Sequence, residues 1–129
     1  KIPSSGRRSN EAASRSMHRD PRAYLWDARE AALRVVEFTE GASEERYLGD
    51  ALLRSAVERQ LEIVGEALGQ LEKHFPGVAE SIPDLRAAVN LRNILIHGYA
   101  KLNNRIVWRT VHEDLPRMAG ELSRLLENW

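Results

Sequence analysis

The stretch from Leu91 to Asn104, "LRNILIHGYAKLNN", places polar side chains on an otherwise aliphatic segment. Arg92, Asn93 and His97 interrupt its first half. An imidazole exchanges protons near pH 7, a guanidinium binds a phosphate through two donors, and a carboxamide can orient either group. The chain has no cysteine, and this segment has no pair of acidic residues. The set therefore suits metal-independent cleavage of an RNA phosphodiester, in which the 2′-hydroxyl is the internal nucleophile.

The same residue types also have ordinary structural explanations. A histidine in the last turn before Gly98 is favoured by the helix dipole and the free carbonyls at the helix end. An asparagine can lie on the surface, and an arginine can lay its stem along apolar surface while its charge stays in water. The residue types alone leave catalysis and structure open.

The segment is predicted to be helical from near Pro83–Asp84 to His97, with Gly98 as its C-terminal stop. At about 100° per residue, one side gathers the residues that we expect to face the core: Asp84, Ala87, Ala88, Leu91, Ile94 and Leu95. Val89 and Ile96 lie on roughly the opposite side. A second apolar face predicts a second packing partner.

Polar residues occupy a row between these two faces, at spacings that make them neighbours along the axis: Arg86, Asn90, Asn93 and His97. Arg92 stands about 140° from His97 on an ideal helix, beside Val89 and Ile96. The two side chains would not meet easily within one chain. A two-fold packing through the Val89/Ile96 side would bring the polar groups of two copies to a shared groove, so we expect a homodimer.

The rest of the chain predicts an all-α antiparallel bundle of about five helices with short connections. Asp20-Pro21 marks the start of a first helix, whose period continues to Gly41. A longer segment of about eight turns runs from Tyr47 to Pro76-Gly77. The final part splits at Asp114-Leu115-Pro116 into a short helix and a last one. No stretch alternates in the manner of a strand.

The composition fits one ordinary domain, with 129 residues of which 43% are hydrophobic. Residues 1–16 are rich in serine and arginine, and we interpret them as a tag or linker remnant that precedes a domain of residues 17–129. They carry four basic residues against one acidic, so the remainder of this neutral chain has a net charge of about −3. Nucleic-acid binding would need a local basic patch. No apolar run suggests a membrane span or a signal peptide, and a cytoplasmic protein is expected.

The motif "RNILIHGY" has the form Arg, four residues, His, one residue, Tyr, and it resembles the motif of the HepT toxins of the HEPN superfamily. "RDPRAYLWDA" resembles the opening helix of that family, "AVERQLEIVGEAL" its long second helix, and "VWRTVHEDLP" the approach to its last helix. The resemblance covers nearly all of residues 17–129.

This resemblance implies a toxin of a type VII-like toxin–antitoxin system, a dimeric endoribonuclease whose active site forms at the subunit interface. Arg92 and His97 would be the catalytic pair, with Asn93 as the supporting polar residue. His97 would act as base on the 2′-hydroxyl or as acid to the leaving oxygen, and Arg92 would stabilise charge on the phosphate. The rival hypothesis is a non-catalytic HEPN dimer that binds a nucleotide or a nucleotidyltransferase partner.

The resemblance also implies that Tyr99 is the residue to which a partner antitoxin attaches AMP. That partner would be a minimal nucleotidyltransferase of the MntA kind. The residues that follow form a polar, partly basic loop, which either holds RNA or the attached nucleotide or is simply a solvated connection: Lys101, Asn103, Asn104 and Arg105.

Three glutamates recur every four residues on the long second segment: Glu58, Glu62 and Glu66, with Arg59 beside them. Such a row is typical of a solvated helix face, and no histidine is spaced to join it as a metal ligand. We expect neither a metal site nor a cofactor. Glu66 lies in "VGEAL", which is similar to the family sequence, and is expected to border the active-site groove.

Overall fold

The computed structural model describes residues 20–98 and 102–129, which form helices and no strand. In chain order the elements are α1 (Pro21–Phe38), α2 (Glu44–Gly49), α3 (Ala51–His74), α4 (Pro76–Ala79), α5 (Leu85–His97), α6 (Asn104–Arg109), a π-helical turn (Thr110–Asp114) and α7 (Leu115–Glu127). The predicted all-α bundle is confirmed. Residues 1–16, predicted to be a tag or linker remnant, lie outside the described ranges. No helix in those ranges has the length and apolarity needed to cross a membrane.

The first helix begins where the sequence predicts. The Asp20 carboxylate accepts a hydrogen bond from the backbone N–H of Arg22 at 2.8 Å, and Pro21 occupies the first helical position. α1 ends at Phe38, and the chain turns at Gly41, which has a φ of +75°. The predicted start and the turn at Gly41 are both confirmed.

The segment predicted as one helix from Tyr47 to Pro76 is interrupted at Asp50. This residue has extended backbone angles, and its carboxylate accepts from the N–H of Leu53 at 3.0 Å, which starts α3. The Arg54 guanidinium donates to the carbonyl oxygens of Tyr47, at 3.3 Å, and Leu48 at the end of α2. Because aspartate both ends α2 and caps α3, the predicted continuity was wrong at this point.

The core lies mainly between α1, α3 and α7. Its largest fully buried side chains are Leu25, Val35, Tyr47, Val57, Val64, Leu68, Leu71, Val107, Val111 and Leu122. The rings of Tyr24 and Phe75 lie 6.4 Å apart, and Arg34 reaches Gln60 at 3.4 Å. The beginning of α1 is therefore near the end of α3, so these two helices are antiparallel.

The final part does not break at Asp114-Leu115-Pro116. Instead, α6 continues through the π-helical turn into α7, and Pro116 stands in the first turn of α7, where a proline is tolerated. Trp108 lies 5.3 Å from the Tyr47 ring and 5.5 Å from the His112 ring, which stacks on it. The predicted split is corrected to a change of helix type.

The orientation of α5 also differs from the sequence prediction. Val89 is half-buried against the core. It lies beside Gly69 of α3, since a Cβ atom added to this glycine would be 3.8 Å from Val89 Cγ2. The prediction that Val89 faces away from the bundle is wrong, because glycines on α3 let α5 pack through that flank. Asp84 and Ala87, predicted to face the core, are exposed. Ile96 is 43% exposed.

The other flank of α5 borders an apolar groove of about 340 Å³, which separates it from α6, the π-helical turn and the start of α7. Leu91 and Ile94 contribute to its wall from α5, and Ile106 and Met118 from the opposite side. At the beginning of α5, Arg117 of α7 forms an ion pair with Asp84. α5 is thus held closely by α3 on one flank and loosely on the other.

Candidate active site

The packing of α5 on α3 is closest at Gly65. A Cβ atom built on Gly65 would lie 2.2 Å from Arg92 Cβ, 2.8 Å from the carbonyl oxygen of Ala88 and 2.9 Å from Arg92 Cγ. These distances are far below van der Waals contact. The Ala88 carbonyl oxygen and Arg92 Cβ cannot move aside without a shift of the α5 backbone. Glycine is therefore required for α5 to lie where it does. The stem of Arg92 begins directly on the backbone of α3.

The guanidinium of Arg92 has two partners. Its Nη2 lies 2.5 Å from Glu66 Oε1 on α3, and its Nη1 donates to Asn93 Oδ1 at 3.1 Å. The Arg92 side chain is 29% exposed. The structure thus brings Arg92, Asn93 and Glu66 together, and Glu66 lines the same cleft as Arg92.

Arg92 forms part of the wall of an open cleft of about 530 Å³ between α1, α3 and α5. The residues that line it are Tyr24, Asp27, Arg59, Glu62, Ile63, Glu66, Ala67, Gln70, Arg92 and Ile96. Its two arginines are each paired with a carboxylate, because Arg59 reaches Glu62 at 3.2 Å. The cleft of one chain is therefore not a strongly basic surface.

His97 is the last residue of α5 and is exposed. The predicted helix stop is confirmed, since Gly98 has a φ of 61° and its N–H donates to the Ile94 carbonyl at 2.9 Å. His97 is five positions after Arg92 on the helix, which corresponds to a rotation of about 140° and a rise of about 7.5 Å. The cleft wall contains Arg92 and Ile96, whereas His97 stands at the helix end.

Two of the polar loop residues that can be located, Asn103 and Arg105, have structural contacts. Asn103 caps α6, since its Oδ1 accepts from the N–H groups of Arg105 at 3.0 Å and Ile106 at 3.3 Å. The Arg105 guanidinium lies 2.6 Å from a carboxylate oxygen of Glu44. The Asn104 side-chain oxygen is buried without a hydrogen-bond partner. Contacts of these residues with RNA stay a prediction.

Two predicted site residues, Tyr99 and Lys101, lie outside the described residues. The site can therefore be built from Arg92, Asn93, His97 and Glu66.

The three glutamates of α3 do not form a common site. Glu62 pairs with Arg59 and Glu66 with Arg92. Partial burial raises the pKa of Glu58, and the charge of Glu62 adds to this effect while Arg54 opposes it. Within residues 20–98 and 102–129, no three histidine or acidic side chains are grouped as metal ligands would be.

Sequence reasoning missed Gly65. A glycine in the interior of a long helix lowers helix propensity by about 1 kcal/mol relative to alanine, so its presence there can indicate a close helix contact. That signal was available in "VGEAL". It does not identify the partner helix, which depends on the tertiary packing.

Comparison with known proteins gives a consistent result. The family model described as "Ribonuclease HepT-like" matches residues 28–125. The chain is 37% identical over 109 residues to "Probable ribonuclease HepT" of Thermococcus cleftensis, covering 84% of this chain and 98% of that protein. It is 36% identical over 104 residues to a "Putative RNase" of Methanocaldococcus jannaschii, covering 81% and 94% of the two chains.

A "Putative RNase" of Caldanaerobacter subterraneus is 32% identical over 107 residues, covering 83% of this chain and 95% of that protein. No solved structure matches the chain significantly. Because the family model spans most of the chain and these relatives are covered almost in full, the chain belongs to the HepT-like ribonuclease family.

Proposed function

We propose that the chain is a metal-independent endoribonuclease in which Arg92 and His97 act on the phosphodiester, with Asn93 in support. Membership of the HepT-like family and the names of the relatives support RNA as the substrate. The observation that carries the assignment of the site is the Arg92 guanidinium, fixed at the wall of a cleft. An exposed imidazole lies at the end of the same helix.

The chemistry needs a proton carrier and a phosphate ligand. The 2′-hydroxyl oxygen attacks the phosphorus, and the bond from phosphorus to the 5′-oxygen breaks, which leaves a 2′,3′-cyclic phosphate and a 5′-hydroxyl. His97 takes the proton of the 2′-hydroxyl or supplies one to the leaving oxygen. Arg92 stabilises the charge that accumulates on the phosphate oxygens.

The test is cleavage of a short RNA, whose folding needs no metal, by the purified chain in EDTA. His97→Ala and Arg92→Ala should each reduce the rate, His97→Ala by roughly 10²- to 10⁴-fold. Arg86→Ala is the matched control, because Arg86 lies on the same helix but outside the cleft wall, and it should retain activity. Activity that disappears in EDTA would contradict metal independence, and full activity of His97→Ala would contradict the site.

We propose that the active unit is a homodimer. The side chains of Arg92 and His97 are about 140° apart around the axis of α5. Residues of two copies would therefore complete one site more easily than residues of one copy. Val89 does not support this proposal, because it packs against the core of its own chain. Ile96 supports it, because this apolar side chain is exposed and lines the same cleft as Arg92. Light scattering should give the mass of two chains, and Ile96→Asp should give one. A wild-type mass of one chain at micromolar concentration would contradict the proposal.

We also propose that the chain is the toxin of a cytoplasmic toxin–antitoxin pair, silenced by AMP attached to Tyr99. Tyr99 is two residues from His97 in the sequence, so a phosphate esterified there would compete with the scissile phosphate by occupancy and charge. Tyr99→Phe should still cut RNA after treatment with an MntA-like nucleotidyltransferase, ATP and magnesium, and intact mass should show no added AMP. An AMP adduct on the Phe variant would assign the acceptor elsewhere.

A non-catalytic module that binds a nucleotide or a partner protein is the second candidate. The ion pair between Arg92 and Glu66 favours it, because a guanidinium already paired with a carboxylate attracts phosphate less strongly. A chain of this kind would bind AMP or the nucleotidyltransferase without cutting RNA, and His97→Ala would leave that binding unchanged.

A further inference from the structure

Two ion pairs connect the same two helices in the same antiparallel register. Arg86 of α5 pairs with Glu72 of α3 near the start of α5, and Arg92 pairs with Glu66 near its end. The first pair is the more exposed at its arginine, with 60% of the Arg86 side chain accessible against 29% for Arg92. Arg92 contributes to the cleft wall, as does Glu66.

Two glycines of α3, Gly65 and Gly69, also face α5 along this contact. At Gly65 an added Cβ would collide with Arg92 Cβ at 2.2 Å and with the Ala88 carbonyl at 2.8 Å. At Gly69, one turn further along, an added Cβ would make an ordinary contact of 3.8 Å with Val89. Only the glycine below Arg92 is sterically required.

We propose that Gly65 and Glu66 are positioning residues that place the Arg92 guanidinium for contact with the scissile phosphate. This inference rests on the proposed function of Arg92. Gly65 sets how closely the root of the Arg92 side chain lies on α3. Glu66 then sets the direction of the guanidinium from one side while Asn93 supports it from the other.

The hydrogen-bond geometry is compatible with phosphate binding. A guanidinium has five N–H donors, and the contacts with Glu66 and Asn93 use one on each terminal nitrogen. A phosphate can therefore be bound through other N–H groups without breaking either contact. Glu66 acts through Arg92 and needs no contact with RNA, so its removal should affect turnover more than substrate binding.

The first experiment compares Glu66→Ala, Glu66→Gln and Glu72→Ala in RNA cleavage, with kcat and KM determined separately. Glu66→Ala should lower kcat by on the order of 10- to 100-fold with little increase in KM. Glu66→Gln keeps the acceptor oxygen and should recover most of the loss. Glu72→Ala breaks the matched pair outside the site and should leave kcat near that of the wild type.

A double-mutant cycle tests whether Glu66 works through Arg92. In an Arg92→Ala background, Glu66→Ala should cause no further loss of kcat, because the group that it positions is absent. An equal loss in both backgrounds would overturn the proposal, as would equal effects of Glu66→Ala and Glu72→Ala.

A readout without catalysis separates this proposal from the proposed function. ¹⁵N relaxation of the Arg92 Nε should show an ordered side chain in the wild type and a mobile one in Glu66→Ala, with no change in Glu72→Ala. If the wild type cuts no RNA, the proposed function fails, and the NMR comparison still decides whether Glu66 holds Arg92. An Arg92 signal that is equally ordered without Glu66 would overturn the positioning role.

The glycine is tested by the pair Gly65→Ala and Gly69→Ala. Gly65→Ala should displace α5 and reduce kcat strongly, whereas Gly69→Ala should retain it; circular dichroism checks that both are folded. Equal kcat values in two folded variants would overturn the role of Gly65. Failure of Gly65→Ala alone to fold would support the close approach, and the Glu66 variants would then decide whether the guanidinium is positioned.

Discussion

The two ends of the contact between α3 and α5 use the same pair of residue types in different surroundings. At the start of α5, Arg86 reaches Glu72 from a side chain that is 60% exposed. At the other end, Arg92 begins against Gly65, pairs with Glu66 at 2.5 Å and lines a cleft. The charges are alike, but only the second arginine has its stem confined by the neighbouring helix.

This difference teaches that an ion pair positions a group only where packing has already reduced the freedom of its stem. An exposed pair must order two long side chains in water, and its net contribution to stability is generally below about 1 kcal/mol. A pair whose arginine is fixed at its root has less conformational entropy to lose. The contact between α3 and α5, called the seam below, thus serves two purposes. It attaches α5 to the bundle, and it orients the Arg92 side chain.

The largest effect should come from removing the apolar anchor of the seam. Leu85 is the most buried residue of α5, with 5% exposure, and Leu85→Ala should lower the free energy of unfolding by about 2–5 kcal/mol. Urea denaturation measures this change. Ile94→Ala, on the flank that borders the open groove, is the matched control and should cost less. If Ile94→Ala costs as much, the two flanks are not as different as the structure indicates.

A smaller effect should distinguish the two ion pairs in stability. A double-mutant cycle of Arg86 and Glu72 should give a coupling below about 1 kcal/mol that disappears in 1 M NaCl, where the Debye length is about 3 Å. The coupling of Arg92 and Glu66 should be larger and should persist better in salt. Thermal or urea unfolding at both salt concentrations provides the cycles, and indistinguishable couplings would argue against the comparison.

The smallest effect concerns Glu58, which lies on the same helix but away from the seam. Burial raises its pKa in the folded chain above the ordinary value, so the folded state binds a proton more tightly than the unfolded state. The resulting stabilisation is present in acid and is lost as pH rises through the folded pKa. Glu58→Gln should therefore flatten this part of the stability profile and slightly stabilise the chain at neutral pH. An unchanged profile would show that another group causes the dependence.

The boundaries that local chemistry sets could be predicted from the sequence. Asp20 and Pro21 start α1, and Gly98 ends α5 in a left-handed conformation, because these residue types have few alternatives there. The break at Asp50 was missed because the apolar periodicity continues across it. A cap with extended backbone angles can interrupt a helix without disturbing the pattern around it.

The sequence predicts which residues form the candidate site, and their catalytic roles stay a prediction, whereas the surroundings of these residues could not be predicted. The spacing of Arg92 and His97 gave their separation along and around the helix. The sequence could not tell which flank of α5 faces α3, so the assignment of Val89 was wrong and the importance of Gly65 was missed. The facing of Val89 and the role of Gly65 both depend on how closely α3 and α5 approach each other. That distance is set by the detailed packing of side-chain atoms, which a pattern of apolar residues does not describe.

The π-helical turn from Thr110 to Asp114 affects how many residues the last part of the chain can contain. Val107, Val111 and Leu115 are all buried, although each four-residue step on a regular α-helix rotates a side chain by about 40°. A turn closed five residues apart absorbs that accumulating rotation and keeps all three on one side. Deleting a single residue there would allow a regular α-helix, in which the seven remaining steps from Val107 to Leu115 rotate by about 700° and leave the apolar stripe of α7 within about 20° of its present direction. The π-helical turn therefore lets the chain contain one more residue between Val107 and Leu115 without turning α7 away from the core.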